Sequence, residues 1–372
     1  MFKMRIVRIV SELDFGGVEK VLANTIPSLQ NDDVINVQVI VLGKGGVISS
    51  ELMRRGFNVQ VLGANPRIPN LKLLFRLRTL LKIFKPHVVH TQGSEANFHG
   101  IWAARIAKVP VIIGEEIGIP NHHSYWKWIF KWVYQKADYI VAISEAVKKH
   151  IIGLGEVKNE KVRVIYNPVD LAFNKQVVNG EVVNESLAFN KKEEDTFVFV
   201  TTCRLVPIKN LERLILVFKE LIFSNLGKNI RLDIIGDGPE KEKLEELVIS
   251  KGLSEKIRLL GFQTNVIAFL HESNVFVLPS FTEGSSVSLA EAMVAGLPSI
   301  VTKNGGASEI LGNSESGILV DPTQSGSIHK AMQKMLDHSQ ATREEMGLRA
   351  QKESLRFSID SYIKKLLEIY KS

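Results

Sequence analysis

The chain has one cysteine, Cys203. A single thiol excludes an internal disulfide and any cysteine-rich metal site, which fits a reducing compartment. No apolar run is long enough to cross a bilayer, and the N-terminus lacks the apolar core of a signal peptide, so a cytoplasmic chain is expected. Neither half offers an Asp-x-Asp pair at a strand end, where a divalent ion would sit, so no metal and no other cofactor is expected. A basic-aromatic nucleic-acid module is also missing, and the basic residues are scattered among acids. The net charge of +7 therefore asks for another anionic partner, such as a phosphorylated small molecule or an acidic membrane face.

What is present is length and rhythm. At 372 residues, two domains of ordinary size are expected. In the first half MRIVRIV, VQVIVL, VQVL, HVVHT, VPVII, YIVAIS and VRVIY read as short buried strands. Helical stretches separate them at Lys20–Leu29, Leu71–Phe84, Asn97–Ala107 and Ser144–Ile152. The second half repeats the alternation, with FVFVTT, RLDIIG, IRLLG, VFVLPS, PSIVT and GILV as strands. Its helices start near Asn210, Pro239, Val266, Ser286 and Ile328. Strands spaced by helices of this length imply parallel sheets covered on both faces. Between the halves, residues 171–195 are polar and Asn-rich, and read as linker or surface loop. The division expected is an N-terminal domain over 1–170, a C-terminal domain over 196–355, and a closing amphipathic helix over 356–372. In such sheets a ligand binds outside the carboxyl ends of the strands, here at a cleft between two lobes.

Three strand ends in the second half carry charge or glycine. In TTCRLVPIKN, Arg204 leaves a strand and Lys209 precedes a helix; two cations beside a helix N-terminus suit a diphosphate, and a solvated basic loop is the plainer reading. IIGDGPEKEKL reads as a helix start with Pro239 at its first position, without the third glycine of a dinucleotide fingerprint. In FTEGSSVSLAEAMVAGLPSIV, Ser285 or Ser286 can cap a helix, so that N–H groups from Gly284 to Val287 point at an anion. Glu283 stands on the loop, and Glu291 lies about one and a half turns into the helix, so two carboxylates could bracket hydroxyl groups. Taken singly, Glu291 reads first as a solvated helix residue; the phosphate cations upstream tip the balance.

EGSSVSLAEAMVAGLP resembles the E-x7-E signature of retaining glycosyltransferases of family 4, which have the GT-B fold of two Rossmann-like parallel-sheet domains. The resemblance extends through FGGVEKVLANTIPSL, PHVVHTQGSEANFHGIWAARIAKVPVI, ADYIVAISEAVKKHI, VIYNPVD, CRLVPIKNLERLI, IIGDGPEKEKL, NGGASEIL and GILVDP. It implies transfer of a sugar from a UDP- or GDP-sugar, with retention, to a glycan or a polyprenyl- or other lipid-linked acceptor in surface polysaccharide or glycolipid synthesis. It assigns Arg204 and Lys209 to the diphosphate, Glu291 to the ribose and Glu283 to the donor sugar. Backbone N–H groups of Gly284, Ser285, Ser286, Val287 and Ser288 would hold sugar and phosphate oxygens. Gly16 and Gly17 match the glycine loop near the donor, and the base would lie by the turn at Gly261–Thr264. The last helix would cross back to the first domain.

One position departs from the pattern. Where many relatives have a histidine, GEEIGIPNHH places Ile117, preceded by Glu115 and Glu116. Either Glu116 takes over contact with acceptor or sugar, or both acids are polar loop residues. His90, in place of a frequent His-x-His, is expected on the acceptor side, with a structural hydrogen bond as the alternative. The helical stretch His123–Lys136 holds three of the four tryptophans. It reads as core, or as a helix that settles on an anionic membrane and makes the enzyme peripheral on the inner face of the plasma membrane. Two other functions remain open: a UDP-sugar 2-epimerase, and a catalytically silent nucleotide-sugar-binding protein.

Overall fold

A computed structural model describes residues 3–14, 16–30, 34–123, 125–171, 176–178, 181–183, 196–312 and 315–372. The chain divides into two compact units, Met1–Val169 with Ile359–Ser372, and Asp170–Ser358.

The first unit runs β1 (Met4–Val10), α1 (Gly17–Gln30), β2 (Ile35–Val41), α2 (Val47–Arg54), β3 (Asn58–Val61), α3 (Leu71–Phe84), β4 (Val88–Gln92), α4 (Ser94–Ala107), β5 (Val111–Glu116), α5 (Tyr125–Tyr134), β6 (Tyr139–Ala142), α6 (Glu145–Gly153) and β7 (Val162–Val164). Its seven strands are all parallel, in the order β3-β2-β1-β4-β5-β6-β7. The chain steps one way from β1 to β3 and the other way from β4 to β7. Right-handed crossovers then put α1 and α2 on one face, and α3 to α6 on the other. Strands such as VVHTQ are buried throughout because both faces are covered. Asn70 starts α3 by accepting a hydrogen bond from the Leu73 N–H at 3.1 Å; Leu73, Leu74, Leu77 and Leu81 bury one side of the helix.

The second unit runs β10 (Phe197–Thr202), α7 (Leu211–Ser224), β11 (Ile230–Ile235), α8 (Lys241–Ser250), β12 (Ile257–Leu259), α9 (Val266–His271), β13 (Val275–Leu278), α10 (Val287–Val294), β14 (Ser299–Thr302), α11 (Ala307–Leu311), β15 (Gly317–Val320), α12 (Ser325–Asp337) and α13 (Gln340–Ser354). Its six strands are parallel in the order β12-β11-β10-β13-β14-β15. Each unit is a Rossmann-like layer structure of the kind expected. The final helix, α14 (Ile359–Tyr370), belongs to the first unit, as the resemblance implied, and packs against α1.

Several elements differ from the sequence reading. Within the stretch read as linker, β8 (Gln176–Val178) and β9 (Glu181–Val183) pair antiparallel. Their sequence, VVNGEVV, sets Asn-Gly between valine pairs, a short-range hairpin signal that the polar surroundings obscured. The remainder of that proposed linker lies largely outside the described residues. Pro239 is not the first helical residue: α8 begins at Lys241, and Pro239 sits in the turn before it. Helix α13 was not expected, because QATREEMGLRAQKES buries only Gly347, Ala350 and Ser354 and so shows no apolar stripe.

Candidate active site

In the second unit the chain moves from β10 through β11 to β12 in one direction, then from β13 through β14 to β15 in the other. The order reverses between β10 and β13, and a crevice opens outside the carboxyl ends of strands at such a point. The loop after β10 carries Arg204 and Lys209, and the loop after β13 carries Glu283. The topology alone therefore brings two distant charged segments together.

Hydrogen bonds fix their geometry. Residues Pro207–Lys209 form a single tight turn, and the Ile208 carbonyl accepts from the Phe281 N–H at 2.8 Å. Asn210 adopts a left-handed conformation (φ 58°), and its side-chain amide donates to the Pro279 and Pro322 carbonyls at 3.0 and 2.9 Å. Lys209 is thereby aimed at the neighbouring loop, where its Nζ lies 2.7 Å from Glu283 Oε1. The Glu283 carbonyl in turn accepts from the Gly306 N–H at 2.7 Å. Gly305 has φ +77°, and a Cβ there would fall 2.0 Å from the Glu283 carbonyl oxygen, so only glycine lets this loop approach so closely. Behind Arg204, a Cβ on Gly236 would fall 1.8 Å from the Cys203 carbonyl oxygen. The GDGP turn thus props the Arg204 loop, a role its helix-start signature did not suggest. Arg204 itself is exposed. Burial pushes the Cys203 thiol up to about 12, so it stays protonated at neutral pH.

Ser286 caps α10, its Oγ accepting from the Leu289 N–H at 3.2 Å and lying 3.1 Å from Ser288 Oγ. Glu283 and Glu291 are both buried; Gly284, Ser285, Val287 and Ser288 are half-buried. The result is an ammonium, a guanidinium-bearing loop, a capped helix start and one carboxylate at the carboxyl end of the sheet, with a second carboxylate, Glu291, further along α10. Positive charge and backbone N–H groups suit a diphosphate, and the carboxylates suit hydroxyl groups. Sequence reasoning gave no role to Asn210 or Gly305. The motif NGG after a strand, and an Asn placed directly before a helix, are the signals that could have found them.

In the first unit Gly16 and Gly17 are exposed at the start of α1, after β1 and beside that sheet's own reversal between β1 and β4. Glu115 and Glu116 end β5 and, as neighbours in a strand, face opposite sides of the sheet. Glu115 lies 3.6 Å from Arg8 Nη2 and 2.9 Å from His90 Nε2. His90 Nδ1 lies 2.7 Å from the Tyr370 hydroxyl, which also accepts from Arg8 at 3.2 Å. All four residues are buried; His90 Nδ1 joins the sheet to α14 through Tyr370, and its Nε2 faces the Glu115 carboxylate. Burial and the Arg8 charge pull His90 down to about 4, hence neutral; burial opposes Glu115 ionisation, but His90 and Arg8 keep its carboxyl below the ordinary range.

Glu116 faces α4 and α5. Its Oε1 accepts a short hydrogen bond from the Tyr134 hydroxyl and another from Asn97 Nδ2 at 3.3 Å. Burial drives its pKa up to about 7 against the pull of Tyr134 and nearby His122. Glu116 is 3% exposed, so the fold supplies it with protein partners. The aromatic helix α5 divides its residues: Phe130, Val133 and Tyr134 are core, while Tyr125, Trp128 and Trp132 are exposed. Among the described residues, no helix is long and apolar enough to cross a membrane.

Known proteins share this organisation. The chain matches the family model for Glycosyltransferase Family 4 over residues 15–173 and that for glycosyl transferases group 1 over 183–353. The UDP-Gal:alpha-D-GlcNAc-diphosphoundecaprenol alpha-1,3-galactosyltransferase of Escherichia coli is 29% identical over 292 residues, covering 76% of this chain and 75% of that protein. An N-acetylgalactosaminyltransferase of Campylobacter jejuni, named for an N-acetylgalactosamine-N,N'-diacetylbacillosaminyl-diphospho-undecaprenol acceptor, is 24% identical over 88% of this chain and 89% of its own. Among solved structures, HepE of Anabaena in complex with UDP aligns with a TM-score of 0.81 at 20% identity, over 98% of this chain and 99% of that one. The chain belongs to the family 4 glycosyltransferases and has their GT-B pair of parallel-sheet domains.

Proposed function

We propose that this glycosyltransferase moves a hexose from a UDP-sugar to a lipid-linked diphosphate acceptor, with anomeric retention and without a bound divalent ion. The carrying observation is the Lys209–Glu283 pair, held at the strand-order reversal of the second unit. A donor diphosphate entering there would take Lys209 and Arg204 as counter-charges, with the N-terminal turn of α10 beneath it. Glu291 would hold the ribose hydroxyls, and Glu283 those of the sugar. Gly16 and Gly17, exposed at the start of α1, would let a ligand approach that backbone closely. The UDP bound by HepE and the undecaprenol diphosphate in the relatives' names support the choice of donor and acceptor class.

The bond from the sugar C1 to the diphosphate oxygen breaks, and a bond from C1 to an acceptor hydroxyl oxygen forms on the same face. Attack from that face sets the acceptor proton beside the departing phosphate oxygen, which receives it. Negative charge grows on the diphosphate as the bond breaks, so fixed cations there lower the barrier. Glu116, already engaged by Tyr134 and Asn97, holds α4 and α5 in place and leaves the acceptor to other groups. An acceptor embedded in a bilayer requires the enzyme at its surface, and exposed Trp128 and Trp132 on α5 support such an association.

The test is a panel of UDP- and GDP-sugars with a diphosphate-lipid acceptor, read by product mass and by the anomeric coupling of product and donor. Transfer from one UDP-sugar, with retention, in the presence of EDTA is expected. Inversion, or loss in EDTA with rescue by Mn²⁺, would contradict the corresponding part. Conversion of UDP-N-acetylglucosamine alone to its manno epimer would replace the whole reading.

A further inference from the structure

The excess charge of this chain is concentrated in one place. Residues 71–137 contain ten Lys and Arg against three Asp and Glu, a net of +7 that equals the net of the entire chain. Of the three acids, Glu115 and Glu116 are buried and Glu95 is half-buried, whereas most of the bases are exposed. This stretch spans α3, α4 and α5, which lie side by side on one face of the first sheet. Helices packed this way are about 8–10 Å apart, so their outer sides make one broad, gently curved surface.

That surface mixes charge with apolar side chains. On α3, at 100° per residue, Leu71, Lys72, Phe75, Arg76, Lys82 and Ile83 fall within an arc of about 140°, opposite the buried leucines. Phe75 is 55% exposed and Ile83 74%. The α3 sequence LKLLFRLRTLLKIF contains no acid. On α5, Trp128 is 71% exposed with Lys131 5.4 Å from its ring centre, and Trp132 packs at a tilt against Trp102 of α4, ring centres 4.2 Å apart. Arg105, Ile106 and Lys108, at the end of α4, are exposed between them.

We infer that α3 is a second membrane-docking element, and that α3 and α5 together seat the first unit on an anionic lipid surface. Basic heads reach lipid phosphates while the aliphatic and aromatic groups between them enter the interface. A second copy of the chain is a poor occupant, since two such faces would oppose like charges. Nucleic acid would leave the exposed Leu71, Phe75 and Ile83 without a partner. The proposal extends the lipid-linked acceptor reading, but it stands on α3 and is read without turnover.

The experiment is co-sedimentation of the full chain with vesicles of phosphatidylglycerol and phosphatidylcholine, and of phosphatidylcholine alone. Three forms are compared: wild type, Lys72→Ala with Lys82→Ala, and Phe75→Ser with Ile83→Ser. Circular dichroism confirms that each is folded. Each basic residue near an anionic surface contributes about a fivefold partition factor, so the lysine pair should lower binding roughly 25-fold. The serine pair should weaken it further than salt alone, and neutral vesicles should bind little. Unchanged binding in both α3 variants, equal binding to neutral vesicles, or displacement by duplex DNA would overturn the proposal. So would a concentration-dependent dimer abolished by the same substitutions. Donor hydrolysis is measured in parallel: vesicle binding without hydrolysis sinks the transferase reading alone, and hydrolysis without vesicle binding sinks this one alone.

Discussion

Replacing Lys209 by Met removes the ammonium at the centre of the site and keeps most of the side-chain volume. Lys209 is 19% exposed and Glu283 7%, so their pair at 2.7 Å is neither solvated nor fully desolvated. Truncating one partner of a fully buried pair costs about 3–5 kcal/mol, and an exposed pair contributes about 0–1 kcal/mol. Stability should therefore fall by about 1–3 kcal/mol, which for a domain of this size is a drop in Tm of several degrees. Binding should suffer separately. A charge-assisted contact with a phosphate oxygen is worth about 1.5–3 kcal/mol net, so UDP affinity should fall about 10- to 150-fold by titration calorimetry. Glu283→Gln makes the complementary case. It releases Lys209 from a competing carboxylate, so UDP should bind as tightly as before or a few-fold tighter while turnover falls. Lys209→Met protein that is folded yet binds UDP within threefold of wild type would refute the reasoning, as would a Glu283→Gln enzyme of full activity.

Three further outcomes follow from the geometry. Gly305→Ala, whose Cβ would meet the Glu283 carbonyl oxygen at 2.0 Å, should cost about 1–3 kcal/mol in thermal denaturation and lower turnover by displacing Glu283. Glu116, with a folded pKa raised from 4.5 to about 7, contributes stability that is complete below 4.5 and is lost as pH rises through 7. Glu116→Gln should remove that slope, raising Tm at pH 8 by the equivalent of about 3 kcal/mol and changing little at pH 4.5. His90 acts in the opposite sense. Lowered from 6.5 to about 4, it contributes stability that is present above 6.5 and is lost as pH falls through 4, so acid lability should persist in Glu116→Gln.

The alternation of buried strands with amphipathic helices was legible because burial on both faces leaves continuous apolar runs such as VVHTQ and FVFVTT. The spacing of Glu283 and Glu291 was equally visible, since both lie in one local segment. What the sequence hid was non-local. His90, Arg8, Glu115 and Tyr370 are up to 362 residues apart and meet only when α14 covers the sheet. Hence the partners of a histidine at a strand end could not be read from its neighbours in the sequence. Lys209 and Glu283 were each expected to serve the donor, but their contact with one another depends on strand order, which no residue pattern states. The role of Gly236 likewise comes from a backbone approach to Cys203, 33 positions earlier.

A structure of the chain with UDP bound tests the central claim most directly. The account predicts the diphosphate within hydrogen-bonding distance of Lys209 Nζ and of N–H groups in Gly284–Ser288, with ribose hydroxyls on Glu291. UDP bound elsewhere, or bound there with Lys209 still closed on Glu283 and no contact to phosphate, would contradict it.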